Sequence, residues 1–562
     1  MGATGGVGSL PRLAAAVRWP PALAWRILLG RSLRHRPHME YDDIIIGAGT
    51  AGCVLANRLS AGGTRRVLLL EAGGRDWNPF IHMPAGLAQL VRHRGLNWNY
   101  CTEPEPELGG RRLYWPRGKV LGGSSSINAM CYVRGQPADY DGWAAAGNPG
   151  WGFADVLPYF MKSEDQQRGA SPWHGTGGPL AVSDLRHTNP LSGVFLAAAK
   201  AAGYPANDDF NGARQEGFGY YQVTQRDGQR CSATAWLEPV KERDNLTIVI
   251  RALAERLVFD GRRAAGVRYR HQGKSFTAHG GRIILAGGAI NSPQLLMLSG
   301  IGPADHLRSL DIPVVHPLPG VGANLQDHLD VCTLQSCTQP ITYDQLNEIG
   351  VGLRYWLSHE GIGSSNIAEA GGFAKSRHAG DDRPDVQFHF VPAQLDDHGR
   401  NRLPGYGYTL HACPLRPQSR GRLLLDSADP ARPPAIHAHY LAAEYDRRMM
   451  IECVRMSREI FAAAPFAPYR GPEIFPGDAI RDDAALLAFV RRKAETIYHP
   501  VGTCKMGRDD AAVVDHRLAV HGLEALHVVD ASVMPQLTSG NTNAPVLMIA
   551  EKAADLLLES VP

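Results

Sequence analysis

The chain has 562 residues, of which 44% are hydrophobic and 20% charged. This composition is typical of a folded globular protein, and the length is sufficient for two domains. Residues 1–39 hold six of the 58 basic side chains and none of the 55 acidic ones, so the rest of the chain carries a small net negative charge. That charge balance argues against nucleic acid as a partner. No apolar run reaches the roughly 18 residues that a membrane-spanning helix needs.

The leader, residues 1–39, is rich in Arg, Ala, Leu and Gly. Such a segment is typical of an organelle transit peptide or of a basic surface-binding helix. Because Met39 stands directly before the first predicted strand, an upstream extension from a misplaced start site is an equal alternative. We therefore expect the leader to be disordered or absent from the mature protein.

The nine cysteines are odd in number and include no Cys-x-x-Cys pair. This spacing argues against a disulfide framework and against a zinc site, and it favours a reducing compartment. We therefore predict a cytoplasmic protein without a metal centre.

The body of the chain opens with a predicted β-α-β unit. Residues 42–46 and 66–70 are short apolar runs that predict buried parallel strands, and the apolar spacing over 51–59 between them predicts a helix. Similar apolar runs at 281–286 and 526–530 predict further strands of the same sheet. We therefore expect segments that are distant in sequence to build one parallel sheet.

Three glycines at the first strand–helix turn form the pattern Gly47-x-Gly49-x-x-Gly52. In this context the pattern indicates a dinucleotide site. The first glycine permits a tight turn, the second lets the backbone approach a pyrophosphate, and the third lets the helix pack against the strand. Glu71 ends the second strand, where its carboxylate can accept the ribose hydroxyls; an ordinary solvated acid is the alternative interpretation. The pattern alone does not separate NAD from FAD.

Two long motifs then narrow the choice of cofactor and of protein family. Residues 118–135, which include Gly122-Gly123-Ser124, resemble the first signature of the glucose-methanol-choline (GMC) oxidoreductase family, and residues 288–302 resemble the second. Residues 318–328 and 498–507 extend the similarity, which runs from about residue 41 to the end of the chain. Within the family, the chain resembles bacterial FAD-dependent dehydrogenases of aliphatic primary alcohols, and it is somewhat less similar to choline dehydrogenases.

The resemblance implies an α/β fold, in which a Rossmann-like FAD-binding domain is joined to an α+β substrate domain built on an antiparallel sheet. We assign residues 40–185, 232–333 and 496–562 to the FAD-binding domain. Residues 186–231 and 334–495 are assigned to the substrate domain, where alternation over 385–390 predicts an antiparallel strand.

The resemblance also implies the residues that contact the cofactor. Beyond the fingerprint and Glu71, the expected contacts are Gly122, Gly123, Ser124, Asn128, Asp530, Ala531 and Asn543. Some family members hold the flavin covalently through a histidine in the first signature, but the matching position here is Ile127, which has no nucleophilic nitrogen. We therefore expect non-covalent FAD. A predicted final helix that begins near Pro545 should direct its N-terminus towards the flavin.

Alcohol oxidation needs a base that takes the hydroxyl proton while hydride leaves the carbinol carbon for flavin N5. By resemblance, that base is His499, in Tyr498-His499-Pro500, and its partner is Asn541. Histidine suits this role at neutral pH, and an amide can bind the substrate oxygen without changing its own charge. A helix N-cap is the alternative interpretation of Asn541, whereas Asn543 is expected to cap the helix or to contact the flavin.

Two further residues are weaker candidates for the substrate pocket. His389 matches a pocket histidine of choline-oxidising relatives, although a core histidine bonded to the backbone is equally compatible with the sequence. Glu369 is a candidate to face a quaternary ammonium, or it is a buried structural acid.

The sequence leaves several functions open. The main expectation is oxidation of a primary alcohol to the aldehyde, with electrons passed to a quinone or another acceptor and with peripheral association at the inner face of the cytoplasmic membrane. The alternatives are a choline dehydrogenase, a nicotinamide dehydrogenase, and a flavoprotein whose FAD is structural or serves a lyase.

Overall fold

Two sheets organise the chain, and each one collects strands that are far apart in sequence. The computed structural model of the protein describes residues 40–559. The leader prediction for residues 1–39 therefore lies outside the described residues. From Glu40 onward the chain forms one compact unit.

The predicted β-α-β unit consists of strand Glu40–Ile46, helix Thr50–Leu59 and strand Val67–Glu71. The first strand pairs in parallel with Val67–Glu71 on one side and with Lys274–Leu285 on the other. The continuous apolar sequence Ile44-Ile45-Ile46 is buried throughout, as expected for a central parallel strand that is covered on both faces.

The first sheet has seven strands. In spatial order these are Leu246–Ile250, Val67–Glu71, Glu40–Ile46, Lys274–Leu285, Arg263–His271 and Ala252–Asp260, with Leu526–Val528 paired in parallel to the end of Lys274–Leu285. The strands predicted at 42–46, 66–70, 281–286 and 526–530 thus lie in one sheet. Because the carboxyl ends of parallel strands meet at one edge, the loops that follow Ile46, Leu285 and Val528 converge there.

The second sheet also has seven strands, and its pairings are antiparallel. Its strands are Arg470–Phe475, Leu329–Cys337, Gly407–Pro414, Val386–Val391, Ala370–Ala374 and Gly217–Tyr220, with Glu495–Thr496 paired to the start of Leu329–Cys337. The antiparallel strand predicted at 385–390 corresponds to Val386–Val391. Strand Leu329–Cys337 crosses the proposed domain boundary after residue 333, so one continuous strand connects the two sequence segments.

Helices and small strand pairs surround the two sheets. The α-helices are Thr50–Leu59, Pro79–His82, Leu87–Leu90, Pro137–Ala145, Phe153–Ser163, Pro190–Ala201, Thr234–Leu237, Gly288–Leu298, Ala304–Ser309, Glu348–Ser358, Glu444–Ala462, Asp483–Lys493 and Asn543–Glu559. Short 3-10 segments are Pro84–Gly86, Pro106–Leu108, Gly123–Ser126, Gly361–Ser364, Ala464–Phe466 and Ala531–Val533. The small strand pairs are Tyr100–Cys101 with Tyr114–Trp115, Glu164–Gln166 with Leu180–Val182, Gln225–Arg226 with Gln229–Arg230, Ile301–Gly302 with His316–Pro317, and Arg422–Leu424 with Ala435–His437.

The last helix, Asn543–Glu559, packs against the first helix, Thr50–Leu59. Arg58 and Glu551 join the two helices through two hydrogen bonds of 2.7 Å, a bidentate geometry that fixes their relative orientation. Their N-termini are joined as well, because the Thr50 hydroxyl donates to Asn543 Oδ1 at 2.8 Å. Both helices therefore begin at the same place.

The fold-class prediction is confirmed by these two sheets. Between residues 40 and 559, no helix combines the length and apolar character needed to cross a bilayer. All nine cysteines lie in this range, and each is a free thiol.

Candidate active site

The fingerprint glycines lie where the backbone leaves no room for side chains. Gly47 has φ +106°, and a Cβ added there would lie 2.5 Å from the Ala286 carbonyl oxygen. A Cβ on Gly52 would lie 1.8 Å from the Gly47 carbonyl oxygen, because the helix packs tightly against the turn. Gly49 is the N-cap of helix Thr50–Leu59 and supplies no side-chain cap. The first-turn N–H groups therefore have no side-chain acceptor from the cap residue.

Glu71 is buried at the end of its strand and supports the same turn. Its two carboxylate oxygens accept hydrogen bonds from the Ala48 N–H at 2.9 Å and the Gly73 N–H at 2.7 Å. Burial raises the pKa of Glu71 to about 7, although these backbone bonds oppose the shift. Glu71 is therefore not a solvated surface acid.

The first signature crosses the fingerprint loop at close range. Gly122 and Gly123 have φ +84° and +55°, and a Cβ on Gly123 would lie 2.7 Å from the Gly49 Cα. Ser124 Oγ accepts from the Gly118 N–H at 3.2 Å. Asn128 Oδ1 accepts from Arg230 Nη1 at 2.7 Å, so a buried arginine orients this amide.

Asp530 joins the last strand of the first sheet to the second signature. Its Oδ2 accepts from the Gly288 N–H at 2.8 Å and from the Ser292 hydroxyl at 2.6 Å. Its Oδ1 accepts from the Ser532 N–H at 2.8 Å. The carboxylate thus fixes two loops that meet at the carboxyl edge of the sheet, beside Ala531.

His499 and Asn541 form a hydrogen-bonded pair. His499 Nε2 lies 3.2 Å from Asn541 Nδ2, and Asn541 Oδ1 accepts from Gln387 Nε2 at 3.0 Å. The final helix begins only at Asn543, so the Asn541 side chain does not cap it. Burial lowers the pKa of His499 well below its usual range, and electrostatic interactions with His328, His389 and Arg117 act in the same direction. The imidazole is therefore neutral and able to accept a proton.

A second histidine contacts the other nitrogen of His499. His328 Nδ1 lies 3.0 Å from His499 Nδ1, and the two rings are nearly perpendicular, at 86°. His328 Nε2 lies 3.0 Å from the Leu415 carbonyl oxygen. The neighbouring Asp327 accepts from the His499 backbone N–H at 2.8 Å and so fixes the main chain at this point.

His389 lies on the second sheet in a row of polar side chains. Its Cα is paired with that of His411, which is paired in turn with Cys332, so the three side chains share one face of the sheet. Burial lowers the pKa of His389 to about 3. A carboxylate oxygen of Asp330, the sulfur of Cys332 and a ring nitrogen of His411 lie within 4.8 Å of one another.

Glu369 is placed differently from the other predicted residues. It is fully buried but does not line the cavity that the others share. Its oxygens accept hydrogen bonds of 2.6–2.7 Å from the Asn189 N–H and from the hydroxyls of Ser192, Tyr343 and Ser365. This bonding satisfies the carboxylate within the protein.

One cavity of about 850 Å³ connects the fingerprint to the histidine pair. The predicted site residues that line it are Gly47, Gly49, Glu71, Gly123, Ser124, Asn128, His389, His499, Asp530, Ala531, Asn541 and Asn543. Gly52, Gly122 and Glu369 are not part of the lining. For the two glycines the reason is steric, since Gly52 packs against Gly47 and a Cβ on Gly122 would meet Ser126 Oγ at 2.2 Å.

Comparison with known proteins agrees with this geometry. GMC oxidoreductase family models match residues 41–330 and 417–550, which together make up most of the chain. The chain belongs to the GMC oxidoreductase family.

Individual GMC relatives cover nearly the whole chain. It is 51% identical over 532 residues to the alcohol dehydrogenase [acceptor] of Pseudomonas putida, with 93% of this chain and 96% of the relative covered. It is 49% identical over 559 residues to the mitochondrial choline dehydrogenase of Mus musculus, with 95% and 93% covered. Among solved structures, an Aspergillus oryzae formate oxidase variant studied for its FAD modification superposes with a TM-score of 0.87 at 28% identity, covering 93% of this chain and 98% of that one. The predictions of an oxidoreductase and of an FAD cofactor are confirmed.

The residues of this GMC oxidoreductase fit such a cofactor. A Cβ added at Gly288, on the cavity wall, would meet nothing within 4 Å, so the wall is open there. Among the other residues that line the cavity, Asp330 Oδ1, Asn366 Oδ1, His389 Nδ1 and Gln394 Oε1 are buried without a hydrogen-bond partner within residues 40–559. Buried polar atoms are rarely left unpaired in a folded protein, which indicates that a ligand or water completes this site.

Sequence analysis missed three residues of the GMC site. His328 and Asp327 end the segment 318–328 that contributed to the family resemblance, but no role was assigned to them. Gln387 could have been found by strand alternation, since residues two apart on a strand face the same side and His389 was already a candidate. Contacts between segments more than 100 residues apart, such as His328 with His499, leave no sequence pattern.

Proposed function

We propose that this GMC oxidoreductase oxidises a primary, aliphatic alcohol to the aldehyde, with His499 as the base and Asn541 as its partner. The observation that carries the proposal is the 3.2 Å contact between His499 Nε2 and Asn541 Nδ2. Both residues line the same cavity as the fingerprint loop. The 51% identity to an alcohol dehydrogenase supports the choice of substrate class.

The pair can handle the hydroxyl proton directly. A neutral His499 accepts the proton at Nε2, while Asn541 Nδ2 donates a hydrogen bond to the substrate oxygen and stabilises its developing negative charge. The substrate hydroxyl thus replaces the direct bond between the two side chains. FAD, when bound there, would be the oxidant that takes hydride from the carbinol carbon.

The residues that would hold FAD are those that line the cavity at the carboxyl edge of the first sheet. The fingerprint loop would face the pyrophosphate, and Glu71 would face the ribose. The remaining proposed contacts are Gly123, Ser124, Asn128, Asp530, Ala531 and Asn543. Ile127 lines the cavity and offers no nucleophile, which supports non-covalent binding.

We propose that the chain is divided into an FAD-binding domain, residues 40–185, 232–333 and 496–562, and a substrate domain, residues 186–231 and 334–495.

The test is anaerobic mixing of the purified holoprotein with a panel of alcohols while the absorbance of the oxidised flavin is followed. Aliphatic primary alcohols should bleach it, and His499→Ala should slow bleaching by about a hundredfold or more, because general base catalysis contributes this much. His527→Gln is the matched control, since His527 is a largely buried histidine of the first sheet that does not line the cavity. Equal rates for the wild type and His499→Ala would refute the assignment of the base.

Choline oxidation is the second candidate function. Two features favour it: the carboxylates of Asp330 and Glu495 line the cavity, and Tyr343, Trp356 and Tyr498 supply aromatic rings that can attract a cation. The 49% identity to a choline dehydrogenase adds support. Comparing kcat/KM for choline with kcat/KM for hexanol distinguishes the two candidates.

The electron acceptor is proposed to be a quinone, and the protein is proposed to associate with the surface of a membrane. Supporting this, two neighbouring segments carry exposed apolar side chains, which we call the mouth patch: Trp77, Phe80, Ile349, Leu353, Trp356 and Leu357. The four on helix Glu348–Ser358 recur at helical spacing on one face. The Tyr355 hydroxyl donates to the His82 carbonyl at 2.9 Å, which joins this helix to the segment of Phe80.

The mouth patch adjoins the cavity, because Phe80 and Trp356 belong to both. Large exposed apolar patches mark interaction sites, and amphipathic helices with aromatic residues bind lipid surfaces. Glu348 begins this helix, and Glu360 lies two residues after its end. They are paired with Arg402 and Arg186, so their negative charges do not repel an anionic lipid surface. A bilayer at this position would bring both a lipophilic alcohol and a quinone to the cavity.

Sedimentation with phosphatidylcholine–phosphatidylglycerol vesicles tests this association. The double variant Leu353→Ser, Leu357→Ser should lose most vesicle binding while keeping its FAD absorbance. Val315→Ser, at an exposed apolar residue outside the patch, is the control and should bind like the wild type. Unchanged binding by the double variant, or concentration-dependent self-association of the wild type without vesicles, would argue against a lipid partner.

A further inference from the structure

We propose that His328 is a positioning residue that holds His499 in the tautomer with its proton on Nδ1, leaving the Nε2 lone pair for the substrate. The inference rests on the proposed role of His499 as the base. It is carried by one continuous chain of hydrogen bonds whose two ends assign the same tautomer.

The first end is the main-chain carbonyl of Leu415, which directly follows strand Gly407–Pro414 of the second sheet. A carbonyl oxygen can only accept, so the 3.0 Å contact with Leu415 requires a proton on His328 Nε2. His328 is fully buried, and burial lowers its pKa to about 4, so the ring is neutral. A neutral imidazole with a proton on Nε2 has a bare lone pair on Nδ1.

That lone pair determines the state of His499. The two Nδ1 atoms lie 3.0 Å apart, which is hydrogen-bond distance, and one of them must donate. Because His328 Nδ1 carries no proton, His499 Nδ1 must supply it. The opposite tautomer of His499 would place two lone pairs against each other at this distance.

The second end starts at Tyr221. The Tyr221 hydroxyl donates to the Phe388 carbonyl at 2.7 Å, so its oxygen accepts from Gln387 Nε2 at 3.2 Å. This bond orients the Gln387 amide, whose Nε2 then also donates to Asn541 Oδ1 at 3.0 Å.

The Asn541 amide is thereby oriented in turn. With Oδ1 occupied as an acceptor, Asn541 Nδ2 faces His499 Nε2 at 3.2 Å and donates to it. This bond requires a lone pair on Nε2, which is the tautomer that the His328 end requires independently. Two unrelated anchors, a carbonyl and a tyrosine hydroxyl, therefore agree.

The arrangement differs from a histidine held by a carboxylate. The neighbouring acid Asp327 contacts the His499 main chain through Oδ1, and its Oδ2 accepts from the hydroxyls of Thr496 and Tyr440. No carboxylate of the described residues bonds to the His499 ring. His328 thus orients the His499 ring through a hydrogen bond between two neutral groups, and the His499 ring stays uncharged.

Two amide variants separate the two functions of His328. His328→Gln carries an amide near the position of Nε2, so it keeps the donor to Leu415 but has no acceptor for His499 Nδ1–H. His328→Asn carries an amide oxygen near the position of Nδ1, so it keeps the acceptor and loses the anchor. We expect alcohol-driven bleaching to slow about a hundredfold in the Gln variant, since general base catalysis contributes about 10²–10⁴-fold. The Asn variant should recover at least a tenth of the wild-type rate.

The tautomer itself is measured by NMR on the oxidised holoprotein with isotope-labelled histidine and no substrate. The His499 signals are identified by their loss in His499→Gln. We expect an exchange-protected proton on His499 Nδ1 in the wild type and in His328→Asn, and its loss in His328→Gln.

A His499 proton found on Nε2 in the wild type would overturn the inference, as would an unchanged tautomer and rate in His328→Gln. Failure of the proposed function would give a different result. No alcohol would bleach the wild-type flavin, whereas NMR would still determine the tautomer of His499. If His328→Gln does not fold, the wild-type spectrum alone decides.

Discussion

Asn541 Nδ2 lies 3.2 Å from His499 Nε2, although 42 residues separate the two in sequence. The contact puts an amide donor and an imidazole lone pair at the same point of the cavity wall, so a single substrate oxygen can bind both.

Asn541→Asp should make the rate depend on pH in a range where the wild-type rate is constant. A carboxylate facing Nε2 accepts a hydrogen bond from protonated His499 and raises its pKa, so the resting imidazole becomes protonated and cannot act as a base. Activity should therefore be low at pH 7 and rise with increasing pH. Stopped-flow reduction of the flavin from pH 6 to 10 measures this, and a profile parallel to that of the wild type would contradict the expectation.

The wild type should lack an ionisation near the ordinary histidine pKa. Burial, followed by electrostatic interactions with His328, His389 and Arg117, lowers the pKa of His499 well below 6.5, so the neutral base persists as the pH falls through that value. The rate of flavin reduction at saturating alcohol should be constant between pH 8 and 6. A decrease in this rate that follows a single ionisation near pH 6.5 would show instead that His499 has an ordinary histidine pKa in the enzyme–alcohol complex.

Glu71→Gln should weaken FAD binding. Glutamine keeps one acceptor oxygen, but its Nε2 would meet the N–H of Ala48 or Gly73 at 2.7–2.9 Å, so one donor in the buried turn loses its partner. A buried unsatisfied group costs about 1–3 kcal/mol, and we expect FAD affinity to fall by about ten- to a hundredfold. Titration of the apoprotein with FAD measures it.

Glu242→Gln is the control for that substitution, because Glu242 is exposed and lies away from the cavity. Its FAD affinity should equal that of the wild type. Equal affinities for all three proteins would remove Glu71 from the cofactor site.

Gly52→Ala should prevent a stable holoprotein. The added Cβ would lie 1.8 Å from the Gly47 carbonyl oxygen, and relief requires the first helix to move away from the turn. Gly62→Ala is matched to it, since a Cβ there would meet only Thr64 Oγ1, at 3.8 Å, and surface changes of this kind usually stay within about 0.5 kcal/mol. Yield, FAD content and melting temperature should fall for Gly52→Ala alone. A yellow, stable Gly52→Ala protein would mean that the helix has room to shift.

The cofactor should leave the protein on denaturation. With Ile127 at the position where a covalent histidine is expected in some relatives, acid precipitation should release all of the yellow colour into the supernatant. Retention of flavin absorbance in the washed precipitate would reveal a covalent bond at another residue.

The sequence by itself determined the local elements and the cofactor loop. Short apolar runs, one ending at Gly47 and the other at Glu71, predicted the strands beginning at Glu40 and Val67, because a parallel strand buried on both faces must be apolar throughout. The fingerprint could be interpreted because its glycines meet requirements of a strand–turn–helix unit, such as the positive φ of Gly47 and the close packing of Gly52 against Gly47. His499 and Asn541 came from the family resemblance, since one histidine among 22 has no local feature that identifies it.

Only the tertiary structure decided which side chains meet. Glu369 was a candidate for the pocket, but donors from Asn189, Ser192 and Tyr343, together with the nearby Ser365, satisfy its carboxylate outside the cavity lining. His328, given no role from sequence, contacts the imidazole of a residue 171 positions later. The direction of a hydrogen bond depends on which donors and acceptors the fold brings within 3 Å, and that arrangement is set by the packing of the two sheets rather than by any local pattern.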